Sequence, residues 1–226
     1  MGESVLFRWP QNAAFGRAVP KSKFYERGKV RTALREKFVD DIQSITWAYK
    51  LADDTIRLRG TTAVPEIQVF VVETKGADVS DDVLTAIDKT VHFPMIFEVA
   101  SRDRVRTVAA HKSLHGKTPT IGTYFTTDWQ PTGSPRRQLP TALDLPSLYE
   151  AILSALLPLE TWAGETVSEA ANRLDRARKI QREIDALEKK LRTEPQLNRK
   201  FELRSQLKER AAALTELTNS VPSKKE

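Results

Sequence analysis

The sequence predicts an α/β (α+β) chain: a mixed-sheet core with flanking helices, followed by a C-terminal antiparallel helical hairpin of coiled-coil type. Three observations carry this. Between residues 30 and 127, helical apolar periods alternate with short runs rich in Val, Ile, Phe and Thr. A stretch rich in Pro, Gly and Ser, residues 130–140, ends that pattern. From Ser168 onward the apolar residues take a heptad spacing, broken once at Glu194-Pro195.

Each element follows from its own pattern. In 30–45, Val30, Leu34, Phe38, Val39, Ile42 and Ile45 fall on a helical period, with Glu36, Lys37, Asp40 and Asp41 toward water. Residues 45–51 alternate and are rich in β-formers, and 55–59 alternate again. A turn at Gly60 and then Pro65 lead into 66–73, whose continuous Ile/Val/Phe content predicts a central strand buried on both faces. Ser80 or Asp81 caps a short helix with an apolar face of Val83, Leu84, Ile87 and Val91. Residues 94–99 read as a strand, 105–110 as its hairpin partner, and 120–127 as a further strand. The apolar helix over 145–159 is stopped by Pro158.

In the C-terminal part, Ala177, Ile180, Ile184, Leu187 and Leu191 form a seam spaced 3, 4, 3, 4. A second helix carries Leu203, Leu207, Leu214 and Leu217, with Arg210 interrupting. Two helices of some two dozen residues each reach on the order of 35 Å. Two helices share only one seam, so the hairpin is expected to dock, dimerise or hold a partner. The organisation expected is a basic N-terminal segment (1–19), a core (20–160), the hairpin arm (161–219) and a polar tail (220–226).

Composition narrows the function classes. The 226 residues are 40% hydrophobic, enough for a substantial core, and contain no cysteine, which removes disulfides and thiolate metal sites. With only three histidines (His92, His111, His115), no His-rich zinc site is expected. No apolar run approaches the roughly 20 residues that span a bilayer, and no secretory h-region is read, so a cytoplasmic location is expected. Residues 1–37 hold nine Lys/Arg against three Glu, an excess equal to the whole net charge of +6. Lys21, Lys23, Arg27, Lys29, Arg31 and Arg35 are the candidates for phosphate contact. Phe7, Trp9, Phe15, Phe24 and Tyr25 lie among them, suited to stacking on bases or to anchoring the segment on the core.

One constellation carries candidate chemistry. A nuclease of PD-(D/E)xK type sets an acid at the start of one strand and (D/E)xK at the end of its antiparallel neighbour. The two acids hold Mg²⁺, and the lysine orients or activates water. Asp54, opening a 55–59 strand, and Glu73-Thr74-Lys75, closing the 66–73 strand, would meet through a hairpin at Gly60. Asp54, Glu73 and Lys75 are then the catalytic candidates and Asp54 and Glu73 the metal ligands; Glu36 or Asp40 would add from the preceding helix. The competing reading is a buried sheet with charged ends and no cofactor. Glu66 and Gln68, two apart in a buried strand, need partners, for which Lys50 and Arg57 are candidates. No P-loop, methyltransferase-type glycine motif or Ser/His/Asp arrangement is present.

Several segments resemble a bacterial and archaeal family known as domain of unknown function 4391. They are Pro20-Lys-Ser-Lys-Phe-Tyr-Glu26, Ile45-Thr-Trp-Ala-Tyr-Lys-Leu51, Glu66-Ile-Gln-Val-Phe70, Ile87-Asp-Lys89, Pro94-Met-Ile-Phe97, Leu143-Asp-Leu-Pro-Ser-Leu-Tyr149 and Glu194-Pro-Gln-Leu-Asn-Arg-Lys-Phe-Glu-Leu203. The resemblance implies genes placed beside a DNA methyltransferase and a helicase in restriction-modification and phage-defence islands, and it implies no catalytic mechanism. The leading expectation is an accessory, non-ATPase subunit that binds such a helicase or methyltransferase through the arm, with DNA as a further partner. A Mg²⁺-dependent nuclease and a homodimeric scaffold joined through the arm are the alternatives.

Overall fold

The computed structural model describes residues 6–25, 31–114, 119–158 and 161–219. Arg27, Lys29, Val30, His115, Leu159 and the 220–226 tail lie outside them. The chain divides into two compact units, Met1–Leu156 and Leu157–Glu226.

Among the described residues the first unit is built on one seven-stranded mixed sheet. The strands are β1 (Ala14–Ala18), β2 (Ile42–Leu51), β3 (Ile67–Thr74), β4 (Met95–Ser101), β5 (Arg104–Ser113), β6 (Thr120–Thr126) and β7 (Gln130–Pro131). Their order is β1-β2-β3-β4-β5-β6, with β7 also on β5. β3 and β4 run parallel and the other neighbours antiparallel. Helix α4 (Asp81–Thr90) connects the parallel pair, as a parallel connection requires. The other helices of this unit are α1 (Ser22–Tyr25), α2 (Thr32–Asp41), α3 (Asp53–Ile56) and α5 (Leu145–Leu156).

β3 is buried along most of its length on both faces, as its unbroken apolar run predicts. Phe70 and Val72 turn toward α2 and α4, joining Phe38, Val83, Leu84, Ile87, Phe97 and Val99 in one core cluster. Strand alternation turns Ile96, Glu98 and Ala109 to the opposite face. There Tyr149 of α5 donates its hydroxyl to the Ala110 carbonyl at 2.7 Å. The N-terminal residues belong to this core: Leu6, Phe7 and Trp9 are buried, and β1 pairs with β2.

Two elements differ from the sequence expectation. The first long helix ends at Asp41 instead of running to Ile45. Ile42 and Ile45 are three apart, a helical spacing, yet both lie in β2 within the same core cluster. A register shift between Ile42 and Ser44 inserts the extra residue that puts both on one face. The second correction is 55–59, which is no strand. Thr55 donates its hydroxyl to the Lys50 carbonyl at 2.7 Å and accepts from the Ala52 amide at 2.9 Å, closing the turn of α3. Arg57 follows with φ 56°, a left-handed residue that ends it. β2 and β3 therefore pair directly across residues 52–66. Gly60 is needed in that connection, since a Cβ there would sit 2.6 Å from the Pro65 carbonyl oxygen.

The second unit is a hairpin of α6 (Val167–Thr193) and α7 (Leu197–Thr218). Thr166 and Glu169 form a reciprocal capping box at the start of α6, and Pro195 sits in the turn. Among the described residues no helix is long and apolar enough to cross a membrane.

Candidate functional site

The predicted Asp54/Glu73/Lys75 grouping does not assemble. Leu51 pairs with Ile67 and Ile42 with Thr74. Asp54, in α3 beyond Leu51, therefore lies at the opposite end of the β2–β3 pair from Glu73 and Lys75. Seven steps of about 3.3 Å separate the two ends, on the order of 20 Å. Asp54 instead bonds Lys50 at 3.0 Å. Asp54 and Glu73 cannot share one Mg²⁺ across that span. The acid beside the end of β3 is Asp41, the last residue of α2 just before β2, whose carbonyl accepts from the Lys75 amide at 2.8 Å.

The side chains at this end are engaged in holding it together. Glu73 accepts from the Ser44 hydroxyl at 2.6 Å, across the strand pair. Lys75 donates to the Val39 carbonyl at 2.7 Å and Lys21 to the Ile42 carbonyl at 2.8 Å, so two ammonium groups meet the C-terminal end of α2. Partial burial, and secondly the charge of Lys75, lower the pKa of Lys21. Asp41 accepts from the Ser80 amide at 3.3 Å, joining this end to the start of α4. Among the described residues no group of three or more His, Asp or Glu is arranged to hold a metal ion.

The most buried polar chemistry was not singled out by sequence reasoning. Lys112 and Asp88, with side chains 0% and 2% exposed, form an ion pair between β5 and α4. Lys112 donates to the carbonyls of Asp88, Val91 and Phe93 at 2.7, 2.8 and 2.9 Å, and so caps the end of α4. On the other face, Glu98 accepts from the Trp9 indole at 2.6 Å and from Arg136 Nη1 and Nη2 at 2.6 and 3.0 Å. Arg136 also donates to the Phe7 carbonyl at 2.8 Å, so one carboxylate ties the N-terminal residues and the 130–140 loop to β4. Arg106 binds Asp78 at 2.7 Å and lies under Trp129. The available signal was a polar residue inside an apolar strand run: Glu98 within Met95–Val99 and Lys112 after Val108-Ala-Ala. Glu66 and Gln68 do meet each other, with Lys50 Nζ 3.9 Å from Glu66, so Lys50 and not Arg57 supplies the cation.

His111 lines a cavity of about 210 Å³ with Tyr149, Val64, Leu114 and Glu150. Burial lowers its pKa below the ordinary 6.5, against an opposing pull from Glu150. The unfolded chain therefore takes up a proton that the folded chain refuses. Stability is full above 6.5 and falls as pH drops from there toward the lowered folded value. A urea-midpoint series across that range is expected to show this slope in the wild type and its reduction in His111→Gln.

In the basic N-terminal segment, Lys23, Arg31 and Arg35 are exposed, whereas Lys21 is committed to its carbonyl. Arg17 stacks over Phe15, which lies 4.0 Å from Trp47, and Arg35 covers Tyr25. These aromatics pack among themselves and on the sheet: Trp47 stacks on Phe70.

The hairpin is tightest near its base. Arg173, with a side chain 1% exposed, bonds both Glu165 oxygens at 2.8 Å and the Leu217 carbonyl at 2.8 Å. Its guanidinium also lies 4.3 Å from the Trp162 ring centre. Farther along, the seam is only half closed. Ile180, Leu187 and Leu191 of α6 and Leu203, Leu207, Leu214 and Leu217 of α7 stay partly exposed, and no described residue of α7 is buried. Arg210, which interrupts the seam, pairs with Glu183 across it at 3.2 Å.

No curated protein and no solved structure matches the chain. One family model does, described as Domain of unknown function (DUF4391), and it matches residues 7–214, from the buried Phe7 through Leu214 of α7. The match takes in residues of both units, and the chain belongs to the DUF4391 family.

Proposed function

We propose that the protein is an accessory, non-ATPase subunit of a bacterial restriction-modification or phage-defence complex, and that its hairpin binds the helicase or methyltransferase subunit. The observation that carries this reading is the half-closed seam. Seven apolar residues lie along two helices totalling 49 residues, and those of α7 are all partly exposed. A helix from a partner laid along this seam would complete a three-helix packing and remove those side chains from water, at about 25 cal/mol per Å² of apolar surface. The partner class comes from the gene neighbours that the family resemblance implies. DNA contact through Lys23, Arg31 and Arg35 accompanies this reading as a secondary feature.

The test is affinity purification of the tagged full-length chain from its native host, with the lysate nuclease-treated so that DNA bridges nothing. A helicase or methyltransferase subunit is expected among the recovered proteins. A chain ending at residue 160 is expected to keep a cooperative melt of the core and to recover none. Equal recovery by the truncated chain would move the interface off the hairpin. Recovery of the chain alone would overturn the reading.

A further inference from the structure

We infer that the outward face of α7 is a binding surface for single-stranded nucleic acid. At 100° per residue, the residues of α7 separate into three strips. Leu203, Leu207, Leu214 and Leu217 form the seam. Glu202, Glu209 and Glu216, seven apart, gather on a second strip. The third holds Leu197, Lys200, Phe201, Arg204 and Lys208, and no carboxylate of the helix falls within it. Lys200 borders the seam beside Leu207, whereas Leu197, Phe201, Arg204 and Lys208 turn away from it and stay open when a protein partner occupies the seam. The inference therefore goes beyond the accessory-subunit reading and does not rest on it.

The chemistry of the strip is specific in two respects. Lys200, Arg204 and Lys208 stand one turn apart, about 6 Å per step along the helix. None of the three makes an ion pair with a described residue. A row of unpaired cations fits a polyanion with regularly repeated charge, whereas lysine is depleted at protein–protein interfaces. Between the cations lies Phe201, 58% exposed, with Leu197 at 65% one turn before it. An exposed ring framed by cations matches the way single strands are held, with phosphates on Lys/Arg and an unstacked base on the aromatic face. A duplex keeps its bases stacked and has no use for the ring.

The experiment is fluorescence anisotropy of a labelled oligothymidylate titrated with the full-length protein, beside a duplex of matched length. The single strand is expected to bind more tightly, with log affinity falling against log salt at a slope of about −2 for three phosphate contacts. Lys200→Glu/Arg204→Glu/Lys208→Glu is expected to lose at least tenfold and flatten the slope. Phe201→Ala is expected to lose about five- to a hundredfold for the single strand with the slope unchanged. All four positions are at least partly exposed, and matching far-ultraviolet circular dichroism confirms that the hairpin is intact. Arg59→Glu/Lys89→Glu, at two exposed cations of the first unit, is expected to leave single-strand affinity within twofold.

Three results would overturn the inference: no binding by the wild type, full binding by the triple variant, or equal single-strand and duplex affinity with Phe201→Ala neutral. Variants that keep the oligonucleotide but lose a co-purified protein would show a protein-docking face instead. A wild-type chain that binds the oligonucleotide but recovers no protein partner would sink only the accessory-subunit reading.

Discussion

Replacing Lys112 by Met is expected to lower the stability of the core by roughly 3–5 kcal/mol, the range for removing one member of a buried ion pair. The ammonium has three protons, and all three go to carbonyls: Asp88, Val91 and Phe93. Its contact with Asp88 Oδ1 is therefore one of charge, while Oδ2 accepts from the Tyr124 hydroxyl at 2.8 Å. Burial raises the pKa of Asp88 and lowers that of Lys112, and each charge counters the shift of the other. Methionine fills comparable volume but leaves three carbonyls without donors and a carboxylate without its cation.

The sign of the pH dependence separates these two losses. Without Lys112, the folded pKa of Asp88 rises further, so the folded state holds a proton that the unfolded state releases. The destabilisation then grows as pH rises from the ordinary carboxylate value through the raised one. Lys112→Met is expected to come closest to wild type at acid pH, read from urea midpoints across the acid range. Adding Asp88→Asn should recover the charge part and leave the carbonyl part, about 1–3 kcal/mol. A loss below about 1 kcal/mol for the single variant would mean that water reaches the end of α4 and caps it instead.

This pair illustrates where the sequence was legible. Period and composition found β3 from its unbroken Ile/Val/Phe run, α4 from its cap and apolar face, and both hairpin helices from a heptad and a proline. Such signals are local. The buried pairs are not, because Lys112 and Asp88 are 24 residues apart and Trp9 and Glu98 are 89 apart. Only the sheet order brings them together. The catalytic grouping failed for a related reason. Thr55 offers a β-former to an alternating pattern, but its hydroxyl closes a helical turn, and with that strand gone Asp54 falls at the wrong end of β2–β3. A bulge likewise gave Ile42 and Ile45 a helical spacing inside a strand. The Glu73-x-Lys75 signal was real as spacing. Its lysine caps α2 and its glutamate binds Ser44.

The second large effect is expected at the base of the hairpin, where Arg173→Ala should cost roughly 3–5 kcal/mol of the hairpin's own stability. Arg173 joins three parts of the second unit: Glu165 before α6, Leu217 in the last turn of α7, and the Trp162 ring, whose indole donates to the Asn219 carbonyl at 2.8 Å. Removing the guanidinium strands a carboxylate that is 8% exposed and frees the end of α7. The bond from Arg173 holds the Glu165 carboxyl below the usual carboxylate range. That stability is present above the unfolded pKa and is lost as pH falls through the lowered folded value. The wild-type hairpin should therefore weaken in acid, and Arg173→Ala should lack that loss. Arg173→Lys keeps the charge but not the two-pronged geometry, and should fall between them. Amide hydrogen exchange resolves the effect: protection should drop along α7 while the β3 and β4 amides keep theirs. With the α7 side of the seam partly exposed, this buried junction is expected to restrain the pairing of α7 with α6. A variant that loosens it without unfolding the core should lose both partner capture and oligonucleotide binding. Unchanged protection along α7 would show that the leucine seam alone holds the two helices together.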